Sequence, residues 1–336
     1  MDSQYLPVAD AIESLITTEI RRPGLRGIVR PLAATAREKQ GGPPVLLAAE
    51  RLVDSVHRGD IVVIATGFPV PGFMPAGEDD GPPGAAAPAY AVSHAFGAVP
   101  LVLAEEQCLA PVRASLDAIG LLERPLSVAR EVPSSFVLQS FPDDDRAEAR
   151  ADEVARTLVP KAIVTIEKLG LNAKGVAHRG GGQAQMEGHM RIEALPGRAR
   201  EAGILTIAIG DAGNEAGMGL VAEATRQYHK WGAVYQCPCQ GGVAATEAPD
   251  VTVVAQVSNW GAYGIAAMLG VLLGNERTLH EAEAERRVLE ACQRAGAVDG
   301  FGMGPVYYCD DIPGRIHCHI VDILQLLTRT ALNRAT

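Results

Sequence analysis

The sequence predicts a single α/β domain built on a largely parallel β-sheet with helices on both faces. Short apolar runs alternate with helical segments along the whole chain, the pattern of a parallel sheet joined by crossover helices. Runs such as Ile61-Val62-Val63-Ile64-Ala65-Thr66 and Ala162-Ile163-Val164-Thr165-Ile166 are almost uninterrupted, as strands buried on both faces must be. Four runs are followed by polar or glycine-rich clusters: Thr66–Gly67, Glu167–Lys168, Gly210–Glu215 and Ser258–Asn259. In a parallel sheet these clusters gather at one edge, outside the strand C-termini, where α/β proteins bind their ligands. Residues 1–336 read as one unit, with 1–43 an N-terminal helix and connection and 44–336 the core.

In chain order, helical spacing over 7–22 predicts a first helix, stopped by Arg21-Arg22-Pro23. The Gly and Pro of 23–43 predict a long surface connection. A helix is expected at 44–58, then the strand 61–66 and a loop containing Glu78-Asp79-Asp80-Gly81-Pro82-Pro83-Gly84. Helices at 85–96 and 105–122 flank a strand at 100–103, and 126–128 and 135–138 are weaker strand candidates. Residues 146–158 form a charged amphipathic helix before the strand 162–166.

Residues 168–190 hold six glycines, three basic residues and two histidines directly past a strand end, which marks a functional loop. A helix broken at Pro196 follows over 190–201. The strand from Ile204 stops at Gly210, and Asp211, Asn214 and Glu215 stand among the glycines that precede a helix at 218–230. A turn at 235–242, a strand at 251–255, helices at 262–273 and 279–295, a glycine loop at 296–304 carrying Asp299, and an amphipathic helix at 316–333 complete the chain.

A formal net charge of -10 excludes a general phosphate-backbone binder and leaves room for an anionic small molecule at a locally positive site. Six cysteines in 336 residues do not make a disulfide scaffold. No apolar stretch is long enough to span a membrane, and Met1-Asp2-Ser3-Gln4 does not open a secretory signal, so a cytoplasmic location with reduced thiols is expected. Nucleotide signatures are missing: the turn after Ile209 is not GxGxxG and no GxxxxGK[ST] occurs. Cys237-Pro238-Cys239 is not CxxC, and Cys309, His317, Cys318 and His319 lack zinc-finger spacing.

Glu78, Asp79, Asp80, Glu167, Asp211, Glu215 and Asp299 are candidates for one acidic cluster. Carboxylates so gathered need a cation, a proton or an arginine, and with Asn214 nearby they suit a hard divalent ion, Mg²⁺ or Mn²⁺. The alternative is that some face solvent or cap helices. Arg179-Gly180-Gly181-Gly182 either binds an anion or is a flexible loop, and Trp260 belongs in the core.

The segments Ala65-Thr66-Gly67-Phe68-Pro69, Asp80-Gly81-Pro82-Pro83-Gly84-Ala85, Gly210–Gly219 and Ser258-Asn259-Trp260-Gly261-Ala262-Tyr263-Gly264 together resemble the D-glutamate cyclase family. The resemblance implies a metal-dependent lyase, commonly a manganese enzyme, that removes water from D-glutamate to give 5-oxo-D-proline, or acts on a related small amino acid or lactam. It implies a metal held by Asp80, Asp211 and Glu215 with Glu78 beside them. Catalysis falls to Glu167, Asp211, Asn214 and Lys168, and substrate binding to Thr66, Gly67, His178, Arg179, Ser258 and Asn259. A metal-dependent hydrolase of a lactam, another cyclic amide or a phosphate ester would use similar groups. The partner is a small carboxylate, with no nucleic acid and no membrane; the first and last helices leave a homo-oligomer open. Ala212 stands where the family usually has glycine, and Glu167-Lys168-Leu169-Gly170 replaces its usual Glu-Arg-Pro-Gly.

Overall fold

The structure, a computed structural model, describes residues 3–21, 27–234, 237–301 and 307–334. Helices α1 (Leu6–Ile16), α2 (Val29–Gln40) and α3 (Pro44–Ser55) precede β1 (Ile61–Ala65). Then come α4 (Gly81–Phe96), β2 (Val99–Ala104), α5 (Leu109–Ala118), β3 (Leu122–Glu123), α6 (Leu126–Ala129) and β4 (Ser135–Ser140). The second half holds α7 (Arg146–Asp152), β5 (Ala162–Ile166), α8 (Leu195–Ala202), β6 (Leu205–Gly210), α9 (Ala222–Tyr228) and β7 (Val251–Val254). It closes with α10 (Ser258–Leu273), α11 (Ala282–Arg294), a small hairpin of β8 (Tyr308–Cys309) and β9 (Ile312–Pro313), and α12 (Gly314–Arg334).

Seven strands form one sheet in the order β3-β4-β2-β1-β5-β6-β7, and every pairing in it is parallel. Strand alternation divides the core in two. Val62, Ile64, Val102, Val164, Ile207 and Ile209 face a layer that includes α1, α3, α4, α5, α10, α11 and α12. Ile61, Val63, Leu101, Leu103 and Ile163 face the other layer, with α7 and α8. Both faces are covered, which is why these strands read as continuous apolar runs. Helix α10 is buried from Ser258 to Val271 and packs against α4. Gly84 lets α4 close on both neighbours: a Cβ there would stand 2.7 Å from Ile166 Cδ1 of β5 and 3.5 Å from the Asn259 Cα of α10.

Several expectations are corrected. Helix α1 ends at Ile16, before 22, because the Thr17 and Thr18 hydroxyls donate to the carbonyls of Glu13 and Ser14; Arg22 and Pro23 lie outside the described residues. The expected connection at 23–43 contains α2, which buries Val29, Leu32 and Ala36 at helical spacing. Residues 126–128 are helix α6, not a strand, started by Pro125; the edge strand β3 lies just before it. Helices α4 and α10 start four residues earlier than expected, at Gly81 and Ser258. In α4, Pro82 and Pro83 open the first turn, where a missing N–H costs nothing. Pro196 likewise opens α8 rather than breaking it. The 105–122 segment is a 3₁₀ turn followed by the shorter α5, and the 146–158 helix passes into a π-helical turn at Glu153–Leu158. The 218–230 helix divides into a 3₁₀ turn, Met218–Val221, and α9. Tyr235, Gln236 and residues 302–304 of two expected turns lie outside the described residues.

The N-terminal helices are tied to the sheet by a half-buried carboxylate. Glu13 of α1 accepts from the Val45 N–H at the start of α3 (3.2 Å) and from Arg37 of α2 (3.2 Å). Burial dominates over these contacts and raises its pKa to about 7. A carboxyl whose folded pKa lies above its unfolded value loses stabilisation as pH rises from the ordinary value through 7. Glu13→Gln should therefore match the parent in stability near pH 5 and exceed it by about 1 kcal/mol near pH 8, measured by urea unfolding at both pH values.

Candidate active site

The sheet order places a topological switch point at its centre. From β1 the chain proceeds to β2 on one side; from β5 it proceeds to β6 on the other. The crevice between the ends of β1 and β5 is where such sheets bind ligands. Thr66–Gly67 and Glu167–Lys168 stand at those two ends. Gly210–Glu215 follows β6, and Ser258–Asn259 opens α10 just after β7. The four polar clusters thus follow four neighbouring strands on one edge. The N-termini of α4 and α10, two sixteen-residue helices, open there as well.

The loop after β1 returns three acids to this edge. Phe68, Val70 and Met74 pack with Leu169 and Ala177 and anchor it. The Glu78 N–H donates to the Phe68 carbonyl (3.2 Å) and the Asp79 N–H to the Val298 carbonyl (3.1 Å). These contacts sort the acids. Asp79 accepts from Gln293 Nε2 at 2.8 Å and braces the loop. Glu78 and Asp80 join Glu167, each offering an oxygen within 4.8 Å of the others. Asp80, Asp211 and Asp310 form an overlapping group, as do Glu167, Asp211 and Glu215.

The glycine turn after β6 is held by Glu215. Its carboxylate accepts from the backbone N–H groups of Asp211 (2.8 Å), Ala212 (2.9 Å) and Gly213 (2.7 Å). Gly213 takes φ +87 with Thr225 against its α-carbon, so the turn has no room for a side chain there. Glu215 is therefore engaged by the backbone, and Asp211 presents its side chain to the cluster. Asn214 donates through Nδ2 to the His178 carbonyl (2.9 Å), while its Oδ1 is buried without a partner. Asp80 Oδ1 and Thr66 Oγ1 are also buried, with no hydrogen-bond partner among the described residues.

Two participants were not anticipated. Arg21, just past α1, ion-pairs with both Asp211 and Asp310 and lies 5.8 Å from the centre of the Phe301 ring. Asp310 sits in the β8–β9 turn at φ +53. Arg21 read only as part of a helix stop, and a hairpin of two-residue strands leaves no periodic trace. Asp299, one of the expected acids, braces this hairpin by accepting from the N–H groups of Phe301 (2.9 Å) and Asp311 (3.3 Å).

Crowding and burial favour the protonated form of these acids. Burial first, then the neighbouring carboxylates, pushes Glu78, Asp80 and Glu167 well above the usual carboxylate range. Glu215 is pushed up to about 7 by burial and by Asp211, against the pull of its backbone donors. Glu167, at φ +41, accepts a short hydrogen bond from the Ser258 hydroxyl. A divalent cation would replace these protons. All the donors here are oxygens, several of the buried ones have no hydrogen-bond partner among the described residues, and the residues present fit a hard ion.

The other predicted residues take separate positions. Lys168 is fully buried and donates to the Gly67 carbonyl (3.0 Å), to His189 Nδ1 (2.9 Å) and to Glu105, which uses all three of its donors. His178 turns its ring toward Cys239 and only its carbonyl toward Asn214. Arg179 is half-buried, and its Nε has no hydrogen-bond partner among the described residues. Asn259 Nδ2 lies 3.2 Å from His317 Nδ1, and its Oδ1 is unpartnered. Trp260 is in the core, donating to the same histidine nitrogen at 3.0 Å. His317 keeps its other nitrogen on the Cys309 carbonyl (3.1 Å), and burial lowers its pKa to about 4.

Residues 27–325 match the family model described as D-glutamate cyclase-like, C-terminal. The chain belongs to the D-glutamate cyclase-like family. It is also 29% identical over 225 residues to a human (Homo sapiens) protein named D-glutamate cyclase, mitochondrial. That alignment covers 65% of this chain and 34% of the human protein, so the chain corresponds to about a third of that protein's length. Within the D-glutamate cyclase-like segment lie Glu78, Asp80, Glu167, Asp211, Asn214, Glu215 and Asp310. Arg21 precedes it. The acidic cluster is thus built entirely within the family domain, while the arginine that balances part of it comes from outside the matched segment. Among the described residues, no helix is long and apolar enough to cross a membrane.

Proposed function

We propose that this chain binds a divalent cation in the acidic cluster and cyclises D-glutamate to 5-oxo-D-proline with loss of water. The observation that carries this reading is the set of buried carboxylates at the switch point, with Asp80 Oδ1 and Asn214 Oδ1 unpartnered, in a chain of this family. Asp80, which is grouped with Glu78 on one side and with Asp211 on the other, would anchor the cation, with Mn²⁺ or Mg²⁺ the chemically matched ions. Glu215, committed to the backbone, shapes the turn instead of ligating. When bound, the ion supplies Lewis-acid polarisation of the substrate's γ-carboxylate.

The reaction forms a bond from the amino nitrogen to the γ-carbon and breaks one γ C–O bond. The substrate ammonium gives up two protons, and both leave with the departing oxygen as water. Glu167 is suited to carry them in turn. Burial and the neighbouring carboxylates raise its pKa well above the usual carboxylate range, which suits a group that exchanges protons, and the Ser258 hydroxyl donates to it. Asn214 gives one N–H of its Nδ2 to the His178 carbonyl and keeps the second for the γ-oxygen, where negative charge would build. Lys168, saturated by protein acceptors, positions Gly67 and Glu105. Arg179, with an unpartnered Nε, is the side chain we assign to the α-carboxylate. The same groups run in reverse would open a lactam, so both directions belong in the assay.

Asp80→Asn tests the reading. A neutral, near-isosteric side chain removes repulsion in the cation-free protein, so the variant should fold at least as well as the parent. Its affinity for Mn²⁺ should fall by about tenfold or more, and turnover of D-glutamate by about 100-fold. Unchanged cation affinity and unchanged turnover would remove the acidic cluster from the mechanism.

A further inference from the structure

We infer that His178, Cys237 and Cys239 form a second, sulfur-containing metal site for Zn²⁺, separate from the acidic cluster. Each residue offers one ligand atom, and the three atoms lie within 4.8 Å of one another. His178 Nε2 is 3.5 Å from Cys239 Sγ. The pairing joins two segments far apart in sequence, the loop after β5 and the turn that follows α9. Cys237 and His178 are buried, and all six cysteines are free thiols.

The surroundings are those a thiolate–imidazole centre needs. His178 Nδ1 lies 3.1 Å from the Val176 carbonyl; a proton on that nitrogen makes Nε2, which faces Cys239 Sγ, the ligating atom. Metal-bound histidines characteristically spend the second nitrogen on such a carbonyl. The sulfurs receive backbone donors: the Cys239 N–H approaches Cys237 Sγ (3.4 Å), and the Gly241 N–H approaches Cys239 Sγ (3.4 Å). Asn172 Nδ2 adds a contact to Cys239 Sγ at 3.7 Å while donating to the Gly242 carbonyl at 2.7 Å. N–H donors around a sulfur stabilise the deprotonated form that binds a metal. Two sulfurs and one imidazole select a borderline-soft, tetrahedral ion, which is Zn²⁺ rather than the hard cation suited to the carboxylates. Three protein ligands leave the fourth position to water or another small ligand.

The consequence is local order next to the reaction centre. An ion here would clip the 176–185 segment to the 237–242 turn. The His178 carbonyl would then be fixed as it holds Asn214 Nδ2 (2.9 Å). The zinc would act as a positioning device for Asn214 and would take no part in the chemistry.

Cobalt substitution tests this in the full chain. Metal-free protein titrated with Co²⁺ should develop an intense near-ultraviolet thiolate-to-cobalt band and tetrahedral visible absorption, saturating at about one such ion per chain. Both should vanish in Cys239→Ser and persist in Asp80→Asn, which separates this site from the acidic cluster. In the unaltered protein, Zn²⁺ should protect Cys237 and Cys239 from alkylation, and a chelator should restore labelling of both, as read by peptide mass spectrometry. No thiolate band, a band retained in Cys239→Ser, equal alkylation with and without Zn²⁺, or a disulfide between the two cysteines would each overturn the inference.

Discussion

Replacing Arg21 with methionine is expected to destabilise the cation-free protein by about 3–5 kcal/mol, because it strands two buried carboxylates. Arg21 pairs with Asp211 and Asp310, and its side chain is 7% exposed, so water cannot take its place. The same change should make the protein more dependent on a divalent cation. With the guanidinium gone, Asp211 beside Glu78, Asp80 and Glu167 must be balanced by a proton or by a bound cation, and the cation gains most from its loss. Thermal unfolding with and without Mn²⁺ reads both effects. The increase in Tm on adding Mn²⁺ should be larger for Arg21→Met than for the parent. Equal increments would mean that Arg21 and the cation do not share the carboxylates.

Glu167→Gln is expected to lower turnover by about 10²- to 10⁴-fold, the usual range for loss of a proton-transferring group. Glutamine keeps the size of the side chain and a hydrogen-bonding partner for Ser258, so cation content and fold should be retained. The pH profile separates proton transfer from packing. Glu167 is raised well above the usual carboxylate range, by burial first and then by Asp80, Asp211 and Glu215. If its protonated form delivers the proton to the departing oxygen, the parent's rate falls as pH rises through the pKa that Glu167 has in the cation-bound enzyme. The residual rate of the variant should lack this alkaline limb. A profile that keeps the limb at full amplitude would assign the proton to another group.

The parts of the molecule legible in the sequence are those with strong periodicity or long apolar runs. Strands β1, β5 and β6 appear at their expected places because both faces of the central sheet are buried. The convergence of Thr66, Glu167, Asp211 and Ser258 follows from parallel pairing alone. Less legible were elements that depend on tertiary contacts. Helix α2 is flanked by glycines and prolines that suggested a loop, and its Val29, Leu32 and Ala36 gain their partners from the 3₁₀ turn Met218–Val221, from α9 and from β7. Proline at α4 masked a helix start that places Asp80 at the head of the helix.

The site divides in the same way. Acidic residues beside glycines were visible as candidates, but their division of labour was not. Glu215 could not be known to serve three backbone amides, nor Asp79 to brace Gln293, because those partners come from the folded turn. Arg21 and Asp310 come from opposite ends of the chain, and no spacing rule links them. The His178–Cys237–Cys239 group escaped for the same reason: Cys-Pro-Cys lacks a familiar spacing, and its third member lies in another loop.

The most direct test of the central claim is turnover of D-glutamate labelled with ¹⁸O in both γ-carboxyl oxygens, followed by mass spectrometry with and without Mn²⁺. The account predicts 5-oxo-D-proline that retains one labelled oxygen, with the other released as water. It predicts that this product requires the cation and is lost in Asp80→Asn. Binding of the cation at the carboxylates without any such product, from either D-glutamate or the reverse reaction, would contradict it.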